Sequence, residues 1–403
     1  MEIRRKAWLL AVLAAALLAF SWMPALAQSI KVGAAVALTG RFSKEGKLVH
    51  DGYKIWLDEV NKQGINVGGK RMKVEMIFYD DESEPQTAVK LTEKLITQDK
   101  AQFILGPFSS PITQQTSLIG EKYKVITIAP QANSDPIYER GFKYVFSILP
   151  PATSYFRVVL EMGSKFQPRP KTVAILAGNQ AFTLLAAKGA EEHAKRLGYD
   201  VVYHDKFPAP ATDLSAFLTQ IKAKNPDMII VAGFFQEALL ATKQAKELKL
   251  CPKLLAMSVG PEIPDFPKNL GKDAEFIVGN AWWSTTMGWK GPDYGSTQDY
   301  VKLVQEKYRY EPGYHIASGT AAGHLLQMAI EKAASTDSDK VRAALLAMDV
   351  ETFWGPTKWA ESGKNTKGGQ GVIQILDAKI TSVYPERIRE KAPAYPMPCW
   401  DKR

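Results

Sequence analysis

Two short stretches place polar side chains where an extended run gives way to a turn or helix. In GPFSSP, residues 106–111, an apolar run ends at Leu105, Gly106-Pro107 turns the chain, and Ser109 and Ser110 open the next helix. Free backbone N–H groups and hydroxyls at such a start favour an anion, so Ser109 and Ser110 are candidates to hold a ligand carboxylate. A serine that caps the helix uses the same donors, and the two roles are compatible. In APQANSDP, residues 129–136, Gln131, Asn133 and Ser134 follow an extended run ending at Ile128. Their polar groups should face the same crevice; a turn whose Asn and Ser satisfy themselves is the alternative.

Other reactive residue types lack a working arrangement. Asp80, Asp81, Glu82 and Glu84 are not followed by a loop of calcium-binding spacing and read as a solvated turn and helix start. His315 and His324 are nine apart on a helix and face different directions, which argues against shared metal ligation. The five histidines and two cysteines give no metal-ligand spacing, and no cofactor motif is present. A hydrolase would need an activated nucleophile, and no Gly-x-Ser-x-Gly elbow occurs, so no enzyme activity is expected. Cys251 and Cys399 can form a disulfide that pins the C-terminal tail or remain two free thiols.

The elements that must position these residues alternate. Extended runs at Ile30 to Val36, Val74 to Tyr79, Phe103 to Leu105 and Val125 to Ile128 are separated by amphipathic segments, the pattern of βα units around a parallel sheet. Val49, Tyr53, Trp56 and Val60 share one face of the first helix. Pro150-Pro151 interrupts the pattern, which restarts with strands at Val173 to Leu176, Val201 to Tyr203 and Met228 to Val231. Ala238, Ala241, Ala245 and Leu248 form the buried stripe of an intervening helix. Beyond Trp282-Trp283 helices are predicted near 296–309, 314–333 and 338–347, then short antiparallel strands at Thr357 to Trp359, Val372 to Leu376 and Ile380 to Val383. Phe182 and the Phe234-Phe235 pair lie just beyond the strands of the second half.

The segments IKVGAAVALTGRFSKEG (30–46), YDDESEP (79–85), GPFSSP (106–111), APQANSDP (129–136), VAGFFQEA (231–238) and FWGPTKW (353–359) occur in an order and spacing that resembles the branched-chain amino-acid binding proteins. Those are type I periplasmic binding proteins that serve ABC transporters. The resemblance implies an α/β fold of two doubly wound, Rossmann-like lobes joined by three crossovers. Lobe one would comprise 29–149 and 281–353, lobe two 150–280 and 354–385, with 386–403 an extended strap or loose end. It implies a ligand in the interlobe cleft, held by Ser109, Ser110, Gln131 and Asn133 or Ser134, and covered by Phe182, Phe234 and Phe235 after closure.

The chain also departs from that family. An acidic residue for a ligand ammonium would be expected near Val259 or Gly260; Glu262 reaches the cleft only if its loop is re-routed. The first-lobe loop carries Phe42, Ser43 and Glu45 where an aromatic cleft residue would be expected near Glu45. The cleft therefore reads as more apolar than that of a strict amino-acid binder. It suits a branched-chain amino acid or a hydrophobic or aromatic carboxylate without an ammonium, since an unpaired buried ammonium is costly.

The first residues read as an export leader: Arg4, Arg5 and Lys6, an apolar run from Ala7 to Trp22, and Ala25-Leu26-Ala27, with cleavage expected after Ala27 and a periplasmic destination. The formal charge of +9 falls to +7 without Glu2, Arg4, Arg5 and Lys6, and the basic residues are dispersed, which argues against nucleic-acid binding. The expected partners are a small-molecule ligand and the permease subunits of an ABC transporter, with the protein itself a monomer. A sensor subunit reporting to a signalling receptor is the competing output of the same lobes.

Overall fold

The computed structural model describes residues 29–403; the expected leader, residues 1–27, and its cleavage site lie outside the described residues. Two sheets organise the chain. The first is fully parallel: β1 (Ile30–Val36), β2 (Val74–Asp80), β3 (Phe103–Leu105), β4 (Thr127–Ala129) and β5 (Val145–Ser147), in the spatial order β2-β1-β3-β4-β5. The second holds β6 (Thr172–Gly178), β7 (Asp200–Phe207), β8 (Met228–Ala232), β9 (Leu254–Met257), β10 (Val278–Ala281), β11 (Gly371–Leu376) and β12 (Lys379–Tyr384). Its order is β12-β11-β10-β9-β8-β6-β7, parallel except where β11 joins β10 and β12. Helices cover both, so central strands are buried on each face and read as continuous apolar runs. This is the expected α/β architecture of two doubly wound lobes.

The first lobe is clamped by two helices, α1 (Ser43–Gln63) and a later one spanning Tyr314–Ala333. Val49, Tyr53, Trp56 and Val60 of α1 are all buried, as their spacing predicts. The partner helix is buried almost all round and carries Ala317, Ser318, Gly319, Thr320, Ala321, Ala322 and Gly323 in succession. The small residues let the backbones approach: a Cβ on Gly52 would meet the Ile316 carbonyl oxygen at 2.2 Å, and one on Gly319 would lie 3.1 Å from the Gly52 Cα.

Between these come α2 (Pro85–Thr97), α3 (Ser110–Tyr123), α4 (Arg157–Ser164), α5 (Ala181–Arg196), α6 (Ser215–Lys224), α7 (Phe235–Glu247) and α8 (Thr297–Tyr308). The helix Tyr314–Ala333 is α9, and α10 is Ser338–Leu346.

Several details differ from the sequence expectation. The strand expected over Val125 to Ile128 forms two residues later, because Val125 follows directly on the α3 terminus, its N–H bonded to the Gly120 carbonyl. Strands β5, β9 and β10 escaped notice, being short, buried on both faces and without alternation. Glu45 belongs to the first turn of α1 and not to a loop. The segment after Phe353, assigned above to the second lobe, stays with the first: Trp359 Nε1 donates to the Ser147 carbonyl, Ser147 N–H to Gly363, and Asn365 Nδ2 to Ile148. The hairpin Asp349–Thr352/Gly355–Lys358 precedes this contact, so the chain returns to the second sheet only at β11.

The C-terminal tail is a strap. Cys399 is bonded to Cys251, with Cα atoms 5.1 Å apart. Around the bond Met397 N–H donates to Lys253, Trp400 Nε1 to Leu250, and the Tyr395 ring stacks on Phe166 at 4.0 Å. The bond closes a sequence separation of 148 residues. Cys399→Ser should therefore lower the unfolding free energy by about 2–4 kcal/mol, read from the denaturant midpoint under oxidising conditions.

Candidate functional site

In open α/β sheets, ligands bind beyond the carboxyl ends of the strands. Here the ends of β3 and β4 in one lobe face those of β6, β8 and β9 in the other, and the two lobes touch. A small cavity of about 20 Å³ remains between them. From the first lobe Phe108, Ser109, Ser110, Gln131, Asn133 and Leu149 line it. Phe182, Phe234 and Val259 come from the second, and Tyr155 and Tyr314 complete the wall.

The two serines have different surroundings. Ser110 Oγ accepts the backbone N–H groups of Asn133 at 3.1 Å and Ser134 at 3.3 Å, tying the GPFSSP turn to the next loop. Ser109 occupies the N-cap position of α3 without making a side-chain cap, and its buried Oγ has no hydrogen-bond partner among the described residues. Of the two, Ser109 is the hydroxyl free to meet an anion, beside the unpaired N–H groups of the α3 start. Asn133 Nδ2 donates to Pro150 at 2.7 Å, which fastens this loop to the first crossover. Ser134 is buried with its Oγ unpartnered among the described residues, but it lies outside the cavity lining.

Gln131 belongs to a buried polar chain. Its Nε2 donates to Ser318 Oγ at 2.7 Å, and Ser318 passes its own proton to the His315 carbonyl. Gln131 Oε1 therefore faces His315 Nδ1, 2.7 Å away, and accepts its proton. The other ring nitrogen lies 3.2 Å from Glu262 Oε1. Glu262 Oε2 accepts the Gly260 N–H at 2.9 Å, which turns the carboxylate back over its own loop and across to the first lobe. His315 thus joins the lobes through Glu262.

The aromatic wall is continuous. Phe234 meets Phe42, Phe108 and Phe182 at 4.9, 5.9 and 5.6 Å between ring centroids, and Phe182 meets Tyr155 at 5.0 Å. Tyr155 Oη donates to the Ser258 carbonyl, which holds the crossover against the β9 end. Phe235, Glu45 and Glu262 lie outside the cavity lining and serve the lobe interface. Arg41 bonds Glu237 at 2.8 Å, Lys44 pairs with Asp265, and Phe235 N–H donates to Glu45 Oε1 at 3.3 Å. Glu45 is fully buried and its carboxyl is pushed up to about 7. Burial is the main cause; the Glu45 and Phe235 amides oppose the rise, while Glu262 and Glu237 add to it.

Sequence reasoning passed over Phe108, Leu149, Tyr155 and Tyr314; it placed a cleft position near Val259, which lines the cavity, and weighed His315 only as a metal ligand. Phe108 and Leu149 adjoin positions singled out and were available as neighbours of strand ends. Tyr314 and His315 open a helix that follows no strand, and Tyr155 follows the Pro-Pro break, so the βα rule could not point to them. A larger groove of about 460 Å³ on the far side of the first lobe, lined by Glu59, Arg71, Asp293 and Glu331, lies away from the strand ends. Its acids are taken up by partners: Glu59 by Lys62 and Lys307, Glu331 by Arg71, Asp293 by His324. Among the described residues no group of three or more His, Cys, Asp or Glu could hold a metal, and no helix is long and apolar enough to cross a membrane.

Because both ring nitrogens of buried His315 are engaged, His315→Ala should strand Gln131 Oε1 and Glu262 Oε1 and destabilise the closed form by about 2–3 kcal/mol. Adding Glu262→Leu should return part of that loss, a coupling to be read from a double-mutant cycle in chemical denaturation.

The family model described as periplasmic binding protein matches residues 29–376. The leucine-specific-binding protein of Salmonella typhimurium is 25% identical over 375 residues, covering 87% of this chain and 92% of that protein. A leucine binding protein from Thermotoga maritima superposes with a TM-score of 0.80 at 22% identity, over 88% of this chain and 98% of its own. A solute binding protein of an ABC transporter from Rhodopseudomonas palustris, solved in complex with benzoate, gives 0.73 at 20% identity, over 92% and 97%.

Proposed function

The chain belongs to the periplasmic binding protein family, and on that premise we propose that it captures a small carboxylate-bearing solute between its lobes and delivers it to the permease of an ABC importer. The solute is a branched-chain amino acid or a related hydrophobic or aromatic carboxylate. The observation that carries this reading is the buried, unpartnered Ser109 hydroxyl at the start of α3, facing an aromatic wall across a lobe interface. The helix start and hydroxyl would hold the carboxylate; Phe182, Phe234 and Tyr155 would cover the apolar body. Gln131, Asn133 and Ser110 would shape the rim from their own loops, while Ser134, Phe235, Glu45 and Glu262 act where the lobes meet.

Capture without chemistry is favoured because Ser109 has no base: the ring of His315, the histidine at the cleft, is engaged by Gln131 and Glu262. The lobes would open by rotation about the crossovers and close on the solute, and the closed form would be what the permease meets. Export follows from the leader of residues 1–27, and the protein would act in the periplasm as a monomer. A branched-chain solute is supported by likeness to the leucine-specific-binding protein, an aromatic acid by likeness to the benzoate complex.

A thermal-shift screen of the mature protein against leucine, isoleucine, valine, benzoate and short aliphatic acids tests this directly. A ligand of the native state at 100 times its Kd adds about 2.7 kcal/mol and raises the melting temperature. Ser109→Ala should weaken binding of the responding compound roughly tenfold, as expected for losing one hydrogen bond to a charged group. No shift with any of these compounds would reject the carboxylate reading.

A further inference from the structure

The lobe interface carries three buried carboxyl groups, from Glu45, Glu237 and Glu262. Glu237, on α7, is held by Arg41 Nη2 at 2.8 Å and by the Phe234 N–H at 3.1 Å. Glu262, on the loop after β9, is held by the Gly260 N–H and lies 3.2 Å from His315 Nε2 of α9. Lys44, beside Glu45, turns outward to Asp265, and Tyr314 of α9 faces the same space without a cation to offer. Glu45 is left with backbone amides alone, its own and the Phe235 N–H of the opposite lobe at 3.3 Å, and its Oε2 has no partner among the described residues. A desolvated carboxylate without a cation is strongly disfavoured.

We propose that Glu45 is a specificity-determining residue that is buried at the closed lobe interface as the neutral acid, so that capture of a singly charged anion takes up one proton from solvent. The claim rests on the reading that a carboxylate solute is bound between the lobes. The proton passes from water or buffer to a Glu45 carboxylate oxygen, and the solute stays ionised at the α3 start. In separated lobes the carboxyl loses the Phe235 amide and meets water, which favours its ionised form. Burial in the closed lobes reverses this preference, and its proton affinity rises accordingly. A second anion in the cleft favours the neutral acid further. A zwitterion brings an ammonium and removes that bias, so the two solute classes differ in proton count and in pH dependence.

Isocaproate and leucine share an apolar body and differ in the ammonium, which makes them suitable probes. Calorimetric titration at pH 6, between the ordinary carboxyl range and the raised value in the closed lobes, in MES and in imidazole reads the proton count from the difference in apparent enthalpy. The wild type should take up close to one proton per isocaproate, Glu45→Gln close to none, and leucine should release this dependence. Isocaproate affinity should also fall severalfold between pH 6.5 and 8.5 in the wild type and stay level in Glu45→Gln. A buffer-independent isocaproate enthalpy in the wild type overturns the proposal.

If isocaproate does not bind, the solute reading has failed on its own, and ligand-free melting decides the state of Glu45. A carboxyl raised in the native state contributes stability below its unfolded value, near 4.3, that is lost as pH rises towards 7. The melting temperature of the wild type should therefore fall relative to Glu45→Gln, and to Glu45→Met as a second neutral variant, between pH 4.5 and 7.5. A level difference overturns the proposal; a fall supports it.

Discussion

The close packing of α1 on α9 is the constraint on which the cleft depends. Gly52, Gly319 and Gly323 leave no room for side chains, and the Cβ that Gly323 lacks would lie 2.2 Å from the Trp56 ring. Thr320 Oγ1 bonds the Gly52 carbonyl across the contact at 2.9 Å. Because interiors pack at near-crystalline density, a helix pair locked in this way cannot slide. Its consequences reach the site from both sides: Tyr53 Oη holds the Gly106 carbonyl at 2.6 Å and so fixes the turn into Ser109, while the α9 start presents Tyr314 and His315.

From this fixed floor the site divides into two chemistries. One is an aromatic wall drawn from both lobes, whose rings meet edge to face and bury most of their area together. The other is a set of buried acids and their partners at the contact between lobes. Glu262 and His315, Glu237 and Arg41, and Glu45 and the Phe235 amide each have one member in each lobe. Their geometry exists only while the lobes touch. Charge burial and lobe closure are thereby the same event, and the energy of one enters the other.

The disulfide acts elsewhere. It lies at the amino end of β9, an interior strand of the second sheet, where the tail covers residues near Lys253 and Leu250, and it ties the chain end to the lobe on the side away from the strand ends that line the cavity. The sequence presented Cys251 and Cys399 as either bonded or free, since spacing cannot say whether two residues so far apart meet.

What depends on local period and chain punctuation was legible along the chain. Alternating extended and amphipathic runs stated βα units that restart after Pro150-Pro151, the family resemblance added their division into two lobes, Val49, Tyr53, Trp56 and Val60 stated the buried face of α1, and Gly106-Pro107 stated where α3 begins with Ser109 and Ser110. Short strands buried on both faces, such as Val145–Ser147 and Val278–Ala281, lack a period of two and were not legible. The segment through Asn365 was assigned to the wrong side of the chain's return, because its hydrogen bonds go to residues more than 200 positions earlier. Folding alone brings Gln131 to His315, turns Glu262 to the same ring, and sets Glu45 against an amide 190 residues away. Local propensity acts between neighbours in the chain, whereas the partner of a buried charge is chosen by whichever group packing brings within reach.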